Sequence, residues 1–166
     1  MILFFKSRKR SANTIPMTEV RFYHLTSRPI AQALPELLEK TLARGMRAVV
    51  RLDRKNAVEP LAEQLWQFNP TSFLPHGTAQ DGQAAHQPVW LTAQAENPNN
   101  AQVLFLLGSA QAHETDLYDL ICHLFSEADA PAVELARQAW KRYKADGKNL
   151  TYWQQTAQGW QKKETS

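Results

Sequence analysis

The chain is poor in the residues that carry most small-molecule chemistry. It holds one cysteine, Cys122, among 166 residues. That excludes an intramolecular disulfide and fits a reducing cytoplasm. Leu120, Ile121 and Leu124 flank it, the setting of a buried structural thiol. His123 is adjacent, but a reactive thiolate needs a base and positive charge around it in space. Glycine is scarce, six in all, and neither G-x-G-x-x-G nor G-x-x-x-x-G-K-[ST] occurs, so no backbone cradle for phosphate is expected. His24, His76, His86, His113 and His123 form no i,i+4 pair and have no cysteine partner at zinc-ligand spacing, so no metal or other cofactor is expected. There is no G-x-S-x-G elbow. Asp116 and Asp119 read as solvated acids near a helix start rather than a catalytic pair. No apolar run approaches the ~20 residues that span a bilayer. A binding protein, not an enzyme, is the reading these absences favour.

Cations are missing over a long internal stretch. Residues 56–136 contain no Lys or Arg but ten Asp or Glu. The net charge of +3 comes from the first 16 residues, which carry Lys6, Arg8, Lys9 and Arg10 and no acid; without them fifteen cations face sixteen acids. Most of the remaining cations, ten of the fifteen, cluster at Arg44, Arg47, Arg51, Arg54 and Lys55, and again at Arg137, Lys141, Arg142, Lys144 and Lys148. Such runs are solvated faces more often than not, but segregated charge also attracts acidic partners.

What is present reads as one domain. The opening MILFFKSRKRSANTIP has its cations after a short apolar run, the reverse of a secretory signal. Residues 1–16 read as a disordered extension or the product of an upstream start, and Met17 as the start of the domain. Val20–Leu25 has the β-branched and aromatic character of a strand. Pro35 fits the first turn of a helix through Leu42, with Gly45 as its C-cap. Met46–Leu52 reads as a second strand, and Asp53 as the cap of a helix carrying Val58, Leu61, Ala62, Leu65 and Trp66. Residues 69–87 read as a long loop. Pro88–Thr92 and Val103–Leu107 read as strands, joined through a turn at Asn97–Asn100. The continuous apolar character of Val103–Leu107 suits a central strand buried on both faces. Residues 116–125 fit either a helix, through Leu117, Leu120, Ile121 and Leu124, or a strand from 120. Val133–Lys144 reads as a helix ended by Gly147, and Leu150–Gln155 with Trp160–Lys163 as a terminal hairpin. The order predicts a single-domain α/β fold, a mostly parallel or mixed sheet flanked by helices, Rossmann-like but without the nucleotide fingerprint.

Three segments carry a family resemblance. They are Phe22-Tyr23-His24-Leu25; Leu65-Trp66 with Ser72-Phe73-Leu74-Pro75-His76; and Leu135-Ala136-Arg137-Gln138-Ala139-Trp140-Lys141-Arg142-Tyr143-Lys144, followed by Gly147, Asn149 and Leu150. Their order and spacing over residues 17–163 resemble the chi subunit of bacterial DNA polymerase III holoenzyme. The resemblance implies a non-catalytic adaptor that links the clamp-loader assembly to the acidic C-terminal tail of single-stranded DNA-binding protein, with nucleic acid engaged mainly indirectly. It places tail binding at Arg137, Trp140 and Lys141, with Lys144 less securely matched. It places the psi subunit, or another clamp-loader or helicase partner, at Trp66, Phe73, Pro75 and His76. Trp66 also continues the apolar face of its helix, which would make it core. Residues 137, 140, 141 and 144 share one helix face. Val133 stands where some members have lysine, and Trp140 where some have tyrosine. Two other classes are carried alongside: a direct nucleic-acid binder using Arg44–Lys55, and a small α/β enzyme with an unrecognised pocket.

Overall fold

A computed structural model describes residues 17–68 and 73–166. The reading of residues 1–16, and of residues 69–72 in the long loop, lies outside these. Seven strands form one sheet: β1 (Glu19–Leu25), β2 (Ala48–Arg51), β3 (Val89–Thr92), β4 (Val103–Leu107), β5 (Leu120–Ser126), β6 (Asn149–Thr156) and β7 (Gly159–Thr165). Their spatial order is β3-β2-β4-β5-β1-β6-β7. All neighbours are parallel except the β6–β7 hairpin. Three α-helices cover the sheet: α1 (Ile30–Ala43), α2 (Val58–Gln67) and α3 (Ala130–Ala145). The fold class is the α/β arrangement expected from the order of elements.

Side-chain alternation along the strands builds two cores. Tyr23, Leu25, Val50, Phe105, Cys122 and Leu124 face α1 and α2. Val20, Phe22, Val49, Leu104, Ile121 and Phe125 face α3 and the 108–118 segment. β2, β3 and β4 are buried along their whole length, as double-sided coverage of a parallel sheet requires. The stretch from residue 116 resolves into a short 3-10 turn, Thr115–Leu117, followed by β5. Burial of Ile121, Cys122, His123, Leu124 and Phe125 on both faces favours the extended form.

Several boundaries differ from expectation. α1 begins after Pro29, whose carbonyl accepts from the Gln32 and Ala33 amides at 3.0 and 3.3 Å. Pro35 therefore lies inside the helix and is buried, where it forfeits the bond to the carbonyl four residues back. Asp53 does not cap α2; Lys55–Ala57 intervenes as a 3-10 turn, and the Asp53 carboxylate accepts from the Ser109 amide at 3.4 Å. β1 and β2 are parallel but separated by β5 and β4, so the α1 crossover spans two strands. β3 and β4 likewise flank β2 rather than each other. The asparagines between them make this short crossover possible. The Asn97 side chain bonds the amide and carbonyl of Ala101, and Asn99 Nδ2 donates to the carbonyls of Ala48 and Gln87 at 3.0 and 2.9 Å.

Both rims of the sheet are guarded. The outer edge of β3 is bridged by Gly77, whose amide donates to the Val89 carbonyl and whose carbonyl accepts from Leu91, both at 3.0 Å. A Cβ there would lie 2.4 Å from the Gln87 side chain. The other rim, β7, is solvent-facing and carries Lys162 and Lys163. One further contact positions the loop after β1: buried Gln155 Oε1 accepts the backbone amides of Thr26, Ser27 and Arg28 at 3.1, 2.9 and 3.0 Å.

Candidate functional site: a cationic aromatic cleft

α3 starts cleanly because the Asp129 carboxylate accepts from the Ala132 amide at 3.2 Å and Pro131 occupies its first turn. Its inward face is small, with Ala132, Ala136 and Ala139, and Tyr143 is its large buried residue. The alanines let the helix approach the sheet closely. Tyr143 Oη lies 3.0 Å from His123 Nε2, and the His123 ring stacks on Phe22 at 4.7 Å. Burial pushes the His123 pKa down to about 3, with the Arg142 charge adding to the effect. This imidazole is neutral at pH 7 and structural.

Beside this contact, α3, β1, β5 and the β6–β7 hairpin line a cleft of about 280 Å³. Trp140 is half-buried at its wall, edge-on to Phe22 at 5.3 Å and to Tyr152 at 6.1 Å. Phe125 and Val133 add apolar lining. Arg137 and Lys141 line the same cleft, and both are exposed. Arg137 Nη1 is 3.8 Å from Glu134, too long for a hydrogen bond, and its side chain is 72% exposed. Lys141 has no ion-pair partner among the described residues. Glu164, from β7, is an acid lining the cleft.

His24 and Tyr152 contribute the polar part of the lining, joined by a 2.6 Å bond between Nδ1 and the hydroxyl. Burial lowers the His24 pKa, opposed by Glu127, whose carboxylate is 3.9 Å from Nε2. Burial also raises the Tyr152 pKa against the opposing charge of Arg137. Both groups are therefore neutral near pH 7, and the fixed positive charge comes from Arg137 and Lys141.

The fold thus brings Arg137, Trp140 and Lys141 to one cleft. Lys144 is exposed on the same helix, but does not line the cleft. Arg142 lies over the Tyr143 ring at 5.1 Å, and Lys148 is held by Asp116 at 2.7 Å. Phe22 and His24 belong to the opening aromatic segment, but their place in the cleft depends on parallel pairing of β1 with β6. Tyr152 and Glu164 had no sequence signal, since hairpin register decides which way they face.

The second group falls at the end of α2. Trp66 is 47% exposed and Phe73 is 73% exposed, and their rings lie 5.7 Å apart. Trp66 is thus off the core, contrary to the reading that its helical spacing buries it. Pro75 is half-buried nearby. His76 is not on this surface, which corrects its grouping with the other three. It is buried behind Trp66 at 4.2 Å, with ring nitrogens 3.0 Å from the Ala62 carbonyl and 2.7 Å from that of Leu74. It ties the loop to α2.

The cluster from Arg44 to Lys55 does not form one face. Arg51 is 4% exposed and its guanidinium donates to Glu114 at 2.6 Å and to the Gln111 carbonyl at 3.1 Å. Arg47 donates to the carbonyls of Ala85 and Asn99. Among the described residues no group of His, Cys, Asp and Glu is placed to hold a metal ion, and no helix is long and apolar enough to cross a membrane.

The fold and its clefts define an α/β domain that presents cations and aromatic rings at the margins of a mostly parallel sheet. Comparison with known proteins is specific. The family described as DNA polymerase III chi subunit, HolC, matches residues 17–151. A protein of Rickettsia prowazekii (strain Madrid E), named probable DNA polymerase III subunit chi, is 32% identical over 91 residues, 55% of either chain. The chain thus matches about half the length of that relative. The chain belongs to the DNA polymerase III chi subunit family.

Proposed function

We propose that the chain is an adaptor of the replicative polymerase that holds the acidic C-terminal tail of single-stranded DNA-binding protein in the α3 cleft and a clamp-loader-side partner at the Trp66–Phe73 patch. The observation that carries this reading is the cleft's composition: Arg137 and Lys141 beside an aromatic wall made by Phe22, Trp140 and Tyr152. A chain end offers a carboxylate for the Arg137 fork, a charge-assisted bond, while a terminal phenyl ring meets aromatic edges in the geometry such rings prefer. Lys141, and Lys144 further along the helix, draw the preceding aspartates as point charges. Glu164 repels the ligand and so disfavours the reversed orientation. Exposed ion pairs contribute about 0–1 kcal/mol each and are screened by salt, so the phenyl ring is the anchor and the charges set orientation and encounter rate.

At the other surface, the exposed pair Trp66 and Phe73, with Pro75 beside them, offers apolar area that a partner would cover. We assign it to the psi subunit or another clamp-loader or helicase protein, with His76 holding Trp66 from behind.

Titration with a peptide ending in acidic residues and phenylalanine tests the tail reading. Binding at low salt is expected, with Arg137→Ala or Lys141→Ala weakening it up to about fivefold, the upper end for an exposed charge pair. Glu164→Gln strengthens it. No binding at low salt, or full binding by Arg137→Ala, sinks the assignment.

A further inference from the structure

A second groove lies on the opposite face of the sheet, between the C-terminal half of α1 and the β6–β7 hairpin, with a volume of about 210 Å³. Its aromatic side is Tyr23, Trp153 and Trp160. Tyr23 lies 6.5 Å from Trp153 in a stacked arrangement and 5.0 Å from Trp160, edge-on. Arg21, Lys40 and Arg44 also line it, and no acidic side chain among the described residues does. Arg21 is held by Glu19. Lys40 and Arg44 are exposed, have no ion-pair partner among the described residues, and stand one helical turn apart. Lys162 adds a fourth cation 5.7 Å from the Trp153 ring centroid. The α1 dipole favours cations in its last turn, but it does not call for two half-buried indoles facing them.

We propose that this groove binds single-stranded DNA, with phosphates on Lys40 and Arg44 and an unstacked base against Trp160 and Trp153. The pairing of several cations with several rings selects the occupant. A single strand repeats one anion and one π-face per residue, and stacking on aromatics beside a basic groove is the general solution for holding it. An acidic chain end supplies carboxylates but one ring, and the α3 cleft already meets that pattern. Between a helix and a hairpin there is room for a separated base, not for a duplex. The site is independent of the tail reading, since none of its lining residues belongs to the α3 cleft.

The test is fluorescence anisotropy of a short labelled oligothymidine titrated with the full chain between about 50 and 200 mM salt. Saturable binding is expected at the lower salt. The double variant Lys40→Ala/Arg44→Ala weakens it about tenfold and reduces the slope of log K against log salt by about 1.4, at ~0.7 per phosphate contact. Trp160→Ala weakens binding while Trp160→Phe retains most of it, which separates loss of the ring from loss of the fold. Arg137→Ala leaves it unchanged. The proposal is overturned by absence of saturable binding, by an unaltered slope in the double variant, or by an acidic peptide, rather than the oligonucleotide, depending on Lys40 and Arg44.

Discussion

Histidine 123 shows how burial fixes what a side chain can do. Its ring is enclosed by Phe22 and Tyr143, and its pKa of about 3 stands well below the 6.5 of an exposed imidazole. Between these values the unfolded chain holds one more proton than the folded one, so stability falls as pH drops below about 6.5 and is flat above it. The expected slope from this group is about 1.4 kcal/mol per pH unit. Urea unfolding at pH 7.5 and pH 5 measures it, and His123→Gln, which keeps a partner for Tyr143, flattens that part of the dependence. An equal pH dependence in the variant contradicts the assignment. Cys122, next to it, has its thiol pushed up to about 12 by the same burial, in keeping with the structural role its apolar neighbours suggest. Neither residue's depth was certain from sequence. Cys122 sits in an apolar run that suits either helix or strand, and His123 is polar; only double-sided coverage of β5 buries both.

At the scale of elements, strong local signals and the terminal β6–β7 hairpin were legible, and the order of the parallel strands was not. Val103–Leu107 is a strand with the bounds its apolar run indicates, because nothing polar interrupts it. The Arg137–Lys141 stripe lies on a helix because residues 130–145 have the cap and the period for one. The basic run from Arg44 to Lys55 looked equally coherent, yet it crosses a turn, a buried strand and another turn, so its charges point to different places. Trp66 has core spacing but sits near the end of α2, where no layer of the described residues covers it. The Gln155 contact was illegible for a related reason: it joins β6 to residues 127–129 positions earlier. Replacing Gln155 with Ala leaves three amides of the β1–α1 loop without that acceptor. A loss of about 0.5–1.5 kcal/mol, the net worth of a typical hydrogen bond, is expected, read as a lower thermal midpoint, with faster amide exchange at Thr26, Ser27 and Arg28. Unaltered exchange there would show that water or another group replaces the contact.

Across the whole molecule, the α3 cleft and the Trp66–Phe73 patch share no residue, and the described core lies between them. Ligands at the two sites should then bind without mutual effect, since coupling requires a two-state element that both bias. Trp66→Ala/Phe73→Ala is expected to leave affinity for the acidic peptide within about twofold of wild type, measured by calorimetry. A larger change would mean that the sheet transmits strain between them.

The guarded rims have a consequence for assembly. A strand offered by another protein finds Gly77 already docked along one margin, and along the other a lysine-bearing ribbon that resists annealing to a neighbour. Complexes of this molecule are then expected to grow through side-chain contacts rather than added strands, an arrangement that lets one contact be exchanged without unzipping the scaffold that bears it.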